Sequence, residues 1–210
     1  MTPAPWHQAP LLAFDLEGTG AQDRDQEAIL ELAAVPILAA QPQPESAYTT
    51  LVNPGRRIPR RPWISPGITD QTLADAPTIT QVGPLLAPMI DGRWIVGHNV
   101  GVDWRLLHRH LPDLRPAGLI DTLPLARRLT TDGSRSLTAM TGRLGLDATI
   151  NAMTPGSRPH RALWDATAAA ALLGALVAQL WPDTPPTLSA LGGVTTGTPP
   201  AAHKQATLFD

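Results

Sequence analysis

Two acidic residues stand two positions apart near the start of the chain. A short apolar run, residues 11–15, leads directly into Asp15-Leu16-Glu17. Residues i and i+2 of an extended strand point to the same face, so these two carboxylates would lie side by side. Adjacent carboxylates repel each other unless one is protonated or a cation lies between them, and Mg²⁺ prefers such oxygen ligands. The pattern therefore predicts part of a metal site, although taken alone it is more typical of a strand end with two solvated acids.

Two further polar sets follow along the chain. Asp103 opens a predicted helix just after the apolar strand 94–97, where an acid is also favoured by the helix dipole. His160 and Asp165 are five residues apart, about 140° around an ideal helix, so they would not share a helix face. They can meet if His160 lies in the loop before the helix and Asp165 in its first turn. Histidine in such a loop suits proton transfer near neutral pH, but a surface histidine beside a helix-start acid is the ordinary alternative.

Taken together, these sets indicate phosphodiester chemistry. Four carboxylates on separate elements, each at a strand end or a helix start, can hold two metal ions about 3.5–4 Å apart. Such a pair of ions activates water and stabilises the leaving oxygen. The predicted cofactors are therefore two Mg²⁺ or Mn²⁺ ions.

Strands and helices alternate along the chain after an initial group of strands, which predicts an α/β fold with helices on the faces of a sheet. Residues 28–38 fit a helix or a strand by periodicity, and their β-branched residues and Pro36 favour the strand. Residues 56–75 are predicted to form a long loop. The other predicted strands are 11–15, 48–52, 94–97 and 119–120, and the predicted helices are 79–90, 102–111, 122–129, 136–144 and 161–181.

Composition excludes several other classes of protein. The 210 residues carry a net charge of −2, so the chain has no basic surplus for wrapping nucleic acid, and Lys204 is its single lysine. Cysteine is absent, which excludes disulfides and cysteine-ligated metals. The apolar run 166–178 is shorter than the ~20 residues of a membrane span, so it is predicted to be a buried helix. We expect a cytoplasmic protein without a signal peptide.

The chain is predicted to have one domain with loose ends. Residues 1–9 read as a flexible lead-in, and residues 10–182 as the catalytic domain. Residues 183–210 are rich in Pro, Thr, Gly and Ala and lack periodicity, so they read as a flexible linker.

The motifs now assembled resemble those of the DEDDh 3′–5′ exonucleases, in particular the epsilon (proofreading) subunit of bacterial DNA polymerase III and its stand-alone relatives. FDLEGTG (14–20) is similar to FDxETTG, GHNVGVDWRLL (97–107) to HNxxFDxxFL, and HRALWDATAAAALL (160–173) to HxAxxDAxxT. Between them, residues 53–79 and the helix IDTLPLARRL (120–129) also follow the family pattern. The resemblance covers about residues 11–181.

The resemblance implies a ribonuclease H-like fold with a central five-stranded mixed sheet flanked by helices. It implies that His160 is the general base, and that the DNA 3′ end is hydrolysed to nucleoside monophosphates in proofreading or repair. The metal ligands it implies are Asp15, Glu17, Asp103 and Asp165. The substrate contacts it implies are Leu16, Gly18, Thr19, Ile68, His98 and Asn99. Departures at Gly18, Val102 and Pro66 affect the binding of the terminal nucleotide and none of the ligands.

Two segments outside the core motifs carry their own hypotheses. Four arginines crowd residues 56–61 and Trp63 follows, which suits a grip on single-stranded nucleic acid or, equally, a solvated loop with an anchoring tryptophan. The last residues, QATLF, resemble the pentapeptide with which bacterial proteins bind the sliding clamp. In that interpretation Gln205, Leu208 and Phe209 contact the clamp, and a DNA polymerase is a second possible partner; the alternative is a plain disordered end.

Three other functions remain open from the sequence. An exoribonuclease of the same fold would use the same motifs, and RNA 3′ ends would replace single-stranded or frayed DNA ends. A non-catalytic binding module would not need the complete set of acids and histidine. A bridging subunit between polymerase and clamp would depend mainly on the C-terminal tail.

Overall fold

The structure is a computed structural model that describes residues 5–196, and these residues form a mixed β-sheet with helices on both faces. The strands are β1 (Leu11–Gly18), β2 (Ile29–Leu38), β3 (Gln41–Pro42), β4 (Tyr48–Leu51), β5 (Trp94–Gly97), β6 (Gly118–Asp121) and β7 (Val194–Thr195). The helices are α1 (Asp70–Leu73), α2 (Ile79–Ile90), α3 (Val100–His110), α4 (Thr122–Leu129), α5 (Leu137–Arg143), α6 (Asp147–Met153) and α7 (Ala162–Leu180). The five longer strands are the five that the sequence predicts, and β3 and β7 add two residues each.

The order of the strands brings three chain segments to one edge of the sheet. The order is β3-β2-β1-β5-β6-β7, and β4 also pairs with β2. β1 and β2 are antiparallel, whereas β5 and β6 run parallel to β1. The carboxyl ends of β1, β5 and β6 therefore meet at the same edge, where ligands bind in open α/β sheets.

Helices cover both faces of the sheet, so the central strand β1 is apolar on both sides. Leu11 and Ala13 belong to the apolar cluster that includes α4, α5 and α7. Leu12 and Phe14 point the other way, into the cluster with α2 and α3. This arrangement explains a continuous apolar run in place of an alternating one.

Helix α7 is the central helix of one of these layers. By length and composition it could cross a membrane, but eleven of its 19 residues are buried within the protein. The prediction of a buried helix is confirmed.

Both chain ends differ from the sequence prediction. Residues 5–9 pack on the domain, because Trp6 is buried and its N–H donates to the Pro186 carbonyl at 2.9 Å. Residues 183–196 are also part of the fold, since Leu191 is buried and β7 pairs with β6. The predicted lead-in and linker are therefore wrong for these residues: isolated apolar side chains without periodicity are buried against the α7 cluster. Gln205, Leu208 and Phe209 lie outside the described residues.

Two short helices were absent from the sequence prediction. α1 lies within the predicted loop 56–75 and begins after Thr69, whose side chain accepts a hydrogen bond from the Thr72 N–H. α6 lies between α5 and the loop that precedes α7. Both helices are too short for a clear hydrophobic period.

Candidate active site

Three carboxylates converge where β1 ends and α7 begins. Asp15 and Glu17 lie on one face of β1, and Asp165 lies in the first turn of α7. One carboxylate oxygen from each falls within 4.8 Å of the others. Asp103, in the first turn of α3, is close enough for its charge to raise the pKa of Asp15. The fold thus brings together all four predicted acids, three of them in a tight group.

The pKa values of these acids show how unfavourable the cluster is without a cation. Burial is the main cause in every case, and the neighbouring carboxylates add to it. The pKa of Glu17 is raised to about 8 and that of Asp165 to about 7. The pKa values of Asp15 and Asp103 are raised well above their ordinary value. A partly buried set of oxygen ligands that is costly to ionise fits divalent cations, because the cation compensates the charge.

His160 lies in the loop before α7, as its spacing from Asp165 predicts. Its backbone is left-handed, with φ of 65°, and its N–H donates to Asp165 Oδ1 at 3.3 Å. The imidazole is exposed and makes no hydrogen bond with the described residues. The backbone of His160 is thereby tied to one acid of the cluster, while its ring remains available for proton transfer.

An ion pair that the sequence analysis missed holds this loop to the sheet. Arg161 follows His160, and its Nε and Nη2 donate to the two carboxylate oxygens of Glu31 at 2.8 and 2.7 Å. Glu31 lies on β2 and is only 5% exposed. The Ala162 N–H adds a longer bond of 3.4 Å to the same carboxylate. A buried acid in the middle of an apolar strand pattern was the available signal, since such an acid needs a partner.

Residues 63–66 lie at the edge of the site, between the loop that follows β1 and the loop that precedes α7. The Trp63 indole N–H donates to the Thr19 carbonyl at 3.2 Å, and the Arg158 guanidinium donates to the Pro66 carbonyl at 3.0 Å. Between these contacts, the buried Ser65 hydroxyl has no hydrogen-bond partner of normal geometry within residues 5–196. It nevertheless lies close enough to the Glu17 carboxylate to offset part of the rise in the pKa of that group. This segment therefore lines one side of the site, which agrees with the resemblance of residues 53–79 to the family pattern, whereas its contacts with Thr19 and Arg158 were not predicted.

His98 has a structural role that the resemblance did not imply. Its Nδ1 pairs with Thr122 Oγ1 and its Nε2 with the Arg135 carbonyl, both at 2.8 Å. Burial lowers its pKa, which favours the neutral ring. The Arg135 carbonyl can only accept, so Nε2 is the ring nitrogen that donates to it. Both ring nitrogens are engaged within the protein, so the ring links the end of β5 with α4 and the following loop, and the expected substrate contact of His98 stays a prediction. Its neighbour Asn99 has an exposed side chain and a left-handed backbone, with φ of 66°.

The other expected substrate contacts lie close to the cluster, but two of the side chains face inward. Thr19 is fully buried, and its Oγ1 accepts a hydrogen bond from the Ala28 N–H. Ile68 is 5% exposed and packs with Leu30 in a small apolar cluster. The backbone of Thr19 is engaged as well, since its N–H donates to the Ala28 carbonyl and its carbonyl accepts from Trp63. The expected substrate contacts of Thr19 and Ile68 stay predictions. Leu16 and Gly18 are partly exposed at the end of β1.

The mixed sheet with acids at the carboxyl ends of its parallel strands is the architecture of the ribonuclease H-like exonucleases, as expected. The model of the Exonuclease family matches residues 12–173. The chain belongs to this family, and the resemblance drawn from the motifs is confirmed.

Individual relatives agree with this assignment. A DNA polymerase III subunit epsilon-like protein of Rhodobacter capsulatus is 33% identical over 171 residues, covering 79% of this chain and 23% of that protein. The DNA polymerase III subunit epsilon of Aquifex aeolicus is 29% identical over 175 residues, covering 81% of each chain. The structure of Exonuclease X in complex with 5′ overhanging duplex DNA is similar with a TM-score of 0.63 and 29% identity, covering 87% of this chain and 99% of that one. The chain spans less than a quarter of the length of the curated relatives that match it first.

Proposed function

We propose that the protein is a divalent-metal-dependent 3′–5′ exonuclease that hydrolyses the terminal phosphodiester bonds of DNA. The observation that carries this proposal is the convergence of Asp15, Glu17 and Asp165 within 4.8 Å, with His160 in the adjoining loop. A solvated strand end would not bury three acids together and raise their pKa values. The membership of the Exonuclease family supplies the reaction class.

Each group of the site has a role that its position supports. Asp15, Glu17, Asp103 and Asp165 hold two Mg²⁺ or Mn²⁺ ions. The bound ions supply activation of the water and stabilisation of charge on the phosphate and the leaving oxygen. His160 accepts the proton of the attacking water, because its exposed ring has no competing partner among the described residues. The Asp165 contact to the His160 backbone holds this loop against the ligand set.

DNA is the proposed substrate, and the 3′ end the proposed point of attack. The support is the sequence similarity to an epsilon subunit and to Exonuclease X, whose structure contains duplex DNA with a 5′ overhang. A role in proofreading or repair in the cytoplasm, with a DNA polymerase or a sliding clamp as partner, belongs to the same proposal. The clamp contact would use Gln205, Leu208 and Phe209.

The test is digestion of end-labelled oligonucleotides by the full chain. A 5′-labelled single strand should shorten stepwise with Mg²⁺ or Mn²⁺, whereas a 3′-labelled strand should release its label at once as a mononucleotide. Chelator should stop both reactions. Parallel digestion of single-stranded DNA, mismatched duplex DNA and RNA of matched sequence shows which substrate is preferred. Faster cleavage of RNA than of DNA would mean that RNA is the substrate.

A pair of isosteric variants isolates the metal site. Asp15→Asn removes one ligand charge, and Asp183→Asn removes the same charge from an exposed position beyond the far end of α7. We expect the first variant to lose cleavage and the second to retain it. Near-normal cleavage by Asp15→Asn, or cleavage that persists in chelator, would show that the carboxylate cluster is not the catalytic centre.

A further inference from the structure

The segment 56–63 concentrates positive charge on a protein that is otherwise slightly acidic. It contains four arginines and no acidic residue, while the whole chain has a net charge of −2. The four arginines divide into two kinds according to their contacts. Arg56 and Arg61 pair with an acid, whereas the exposed Arg57 and Arg60 side chains have no partner among residues 5–196.

The paired arginines attach the segment to the loop that follows β1. Arg56 and Arg61 both reach Asp23, at 3.5 and 3.2 Å, and Asp23 is nearly buried with 10% of its side chain exposed. The Arg56 guanidinium also donates to the Gln26 carbonyl. Two cations on one acid leave this local region with excess positive charge even after pairing. The segment is thus held in place without its other two arginines.

Trp63 connects the segment with the catalytic strand. Its indole N–H donates to the Thr19 carbonyl, and a Cβ added at Gly20 would lie 2.6 Å from the indole nitrogen. The ring is therefore seated on the backbone just after Glu17. It is still 37% exposed, and the Arg61 guanidinium lies 5.4 Å from the ring centroid. The protein satisfies the polar edge of the ring, so the exposed part of its apolar face can take a stacking partner.

We propose that this segment binds the single-stranded DNA that leads to the 3′ end: Trp63 stacks on a base, and Arg57 and Arg60 contact phosphates. Proteins that hold single strands without sequence preference combine a positively charged track with aromatic rings. Guanidinium groups suit phosphate oxygens because of their planar set of donors. The position of Trp63 beside Thr19, two residues from Glu17, places this surface next to the catalytic cluster. The inference rests on the proposed nuclease function, because that function defines which strand arrives there.

Binding and cleavage can be tested separately, which distinguishes the two proposals. The affinity of the full chain for labelled single-stranded DNA is measured by fluorescence anisotropy, with Ca²⁺ in place of Mg²⁺ and the integrity of the DNA checked on a gel. A protein that binds DNA through this segment but cleaves nothing would contradict the nuclease and leave the surface standing. An active nuclease whose affinity ignores the substitutions below would contradict the surface alone.

Stacking predicts a defined response at Trp63. Trp63→Ala should weaken binding roughly 5- to 100-fold, the loss expected for one stacked base, without changing the dependence of affinity on salt. Trp63→Phe keeps an aromatic face but loses the hydrogen bond to Thr19, so it should retain most of the affinity. Equal losses in both variants would show that the hydrogen bond, and not stacking, matters, and would overturn this assignment.

The arginines should change the salt dependence instead. The double variant Arg57→Gln with Arg60→Gln removes two phosphate contacts, so the slope of log K against log salt should fall in magnitude by about 1.4. Both side chains are exposed, so the fold should be unaffected. The control with the same change in charge is Arg93→Gln with Arg115→Gln, at the amino ends of β5 and β6 on the opposite edge of the sheet. Arg115 bonds to the Pro112 and Leu114 carbonyls, so the Tm of this control is compared with that of the parent before binding is measured.

The control should leave both affinity and slope unchanged. If the control reduces the salt slope equally, only net charge matters. If neither double variant changes the slope, the proposed phosphate contacts of Arg57 and Arg60 are wrong. The same titration with RNA completes the test, and binding of RNA without binding of DNA would overturn the choice of DNA.

Discussion

Glu17→Gln should make the metal-free protein more stable while abolishing cleavage. The substitution keeps the shape of the side chain and removes one charge from the cluster. Burial and the neighbouring acids raise the pKa of Glu17 from 4.5 to about 8, so the folded state opposes its ionisation. Because the folded pKa lies above the unfolded value, the stability that this group contributes is full below pH 4.5 and is lost as the pH rises to 8.

The magnitude follows from the size of this shift. One pKa unit corresponds to about 1.4 kcal/mol, so ionising Glu17 costs the folded state on the order of 4 kcal/mol by pH 8. Glutamine does not ionise and avoids this cost. For a domain of this size, 1 kcal/mol shifts Tm by about 2–4 °C. At pH 8 in chelator, the variant should therefore melt roughly 10 °C above the parent, and the difference should vanish near pH 4.5.

The assay is thermal unfolding in chelator between pH 4.5 and 8.5, with Glu45→Gln as the control. Glu45 is exposed in the short 3₁₀ helix Pro44–Ser46 that follows β3, so its substitution should change stability by less than about 0.5 kcal/mol. Added Mg²⁺ should raise the Tm of the parent more than that of Glu17→Gln, since the variant has lost a ligand. A variant that melts at or below the parent at pH 8 would refute the claim that these acids repel in the folded state.

Three other substitutions test separate parts of the molecule. His160→Ala should lower turnover by roughly 10²–10⁴-fold while metal binding, measured by calorimetry, persists; loss of metal binding would contradict its role as base. Arg161→Met leaves the nearly buried Glu31 carboxylate unpaired, so chemical denaturation should show a loss of about 3 kcal/mol, with Arg161→Lys in between; equal stability would mean that the pair is dispensable. Deletion of residues 205–210 should leave hydrolysis of a short oligonucleotide unchanged and abolish binding to the sliding clamp of the same organism; undiminished clamp binding would leave the tail without this function.

The sequence alone predicts most of the elements, because their hydrophobic patterns are long or clear. β5 and the helices α2 and α4 begin and end as predicted. The strand interpretation of residues 28–38 is also confirmed, within one residue, by β2. The errors fall on short segments, such as α1 and β7, and on the chain ends. There, single residues such as Trp6 decide the structure by tertiary packing, which leaves no periodic pattern to detect.

The candidate site divides in the same way between local and tertiary information. The types and spacings of the acids and of His160 are local, so the sequence by itself determined the four carboxylates, their positions at strand ends and helix starts, and the loop position of the histidine. The neighbours of these residues come from distant parts of the chain, and only the tertiary structure decided them. It gave His98 two partners that bind both ring nitrogens, paired Arg161 with Glu31 130 residues away, and laid Trp63 on Thr19. Such contacts form between segments that are distant in sequence and become neighbours only when the sheet and the helices pack. A local pattern of residues therefore does not predict them.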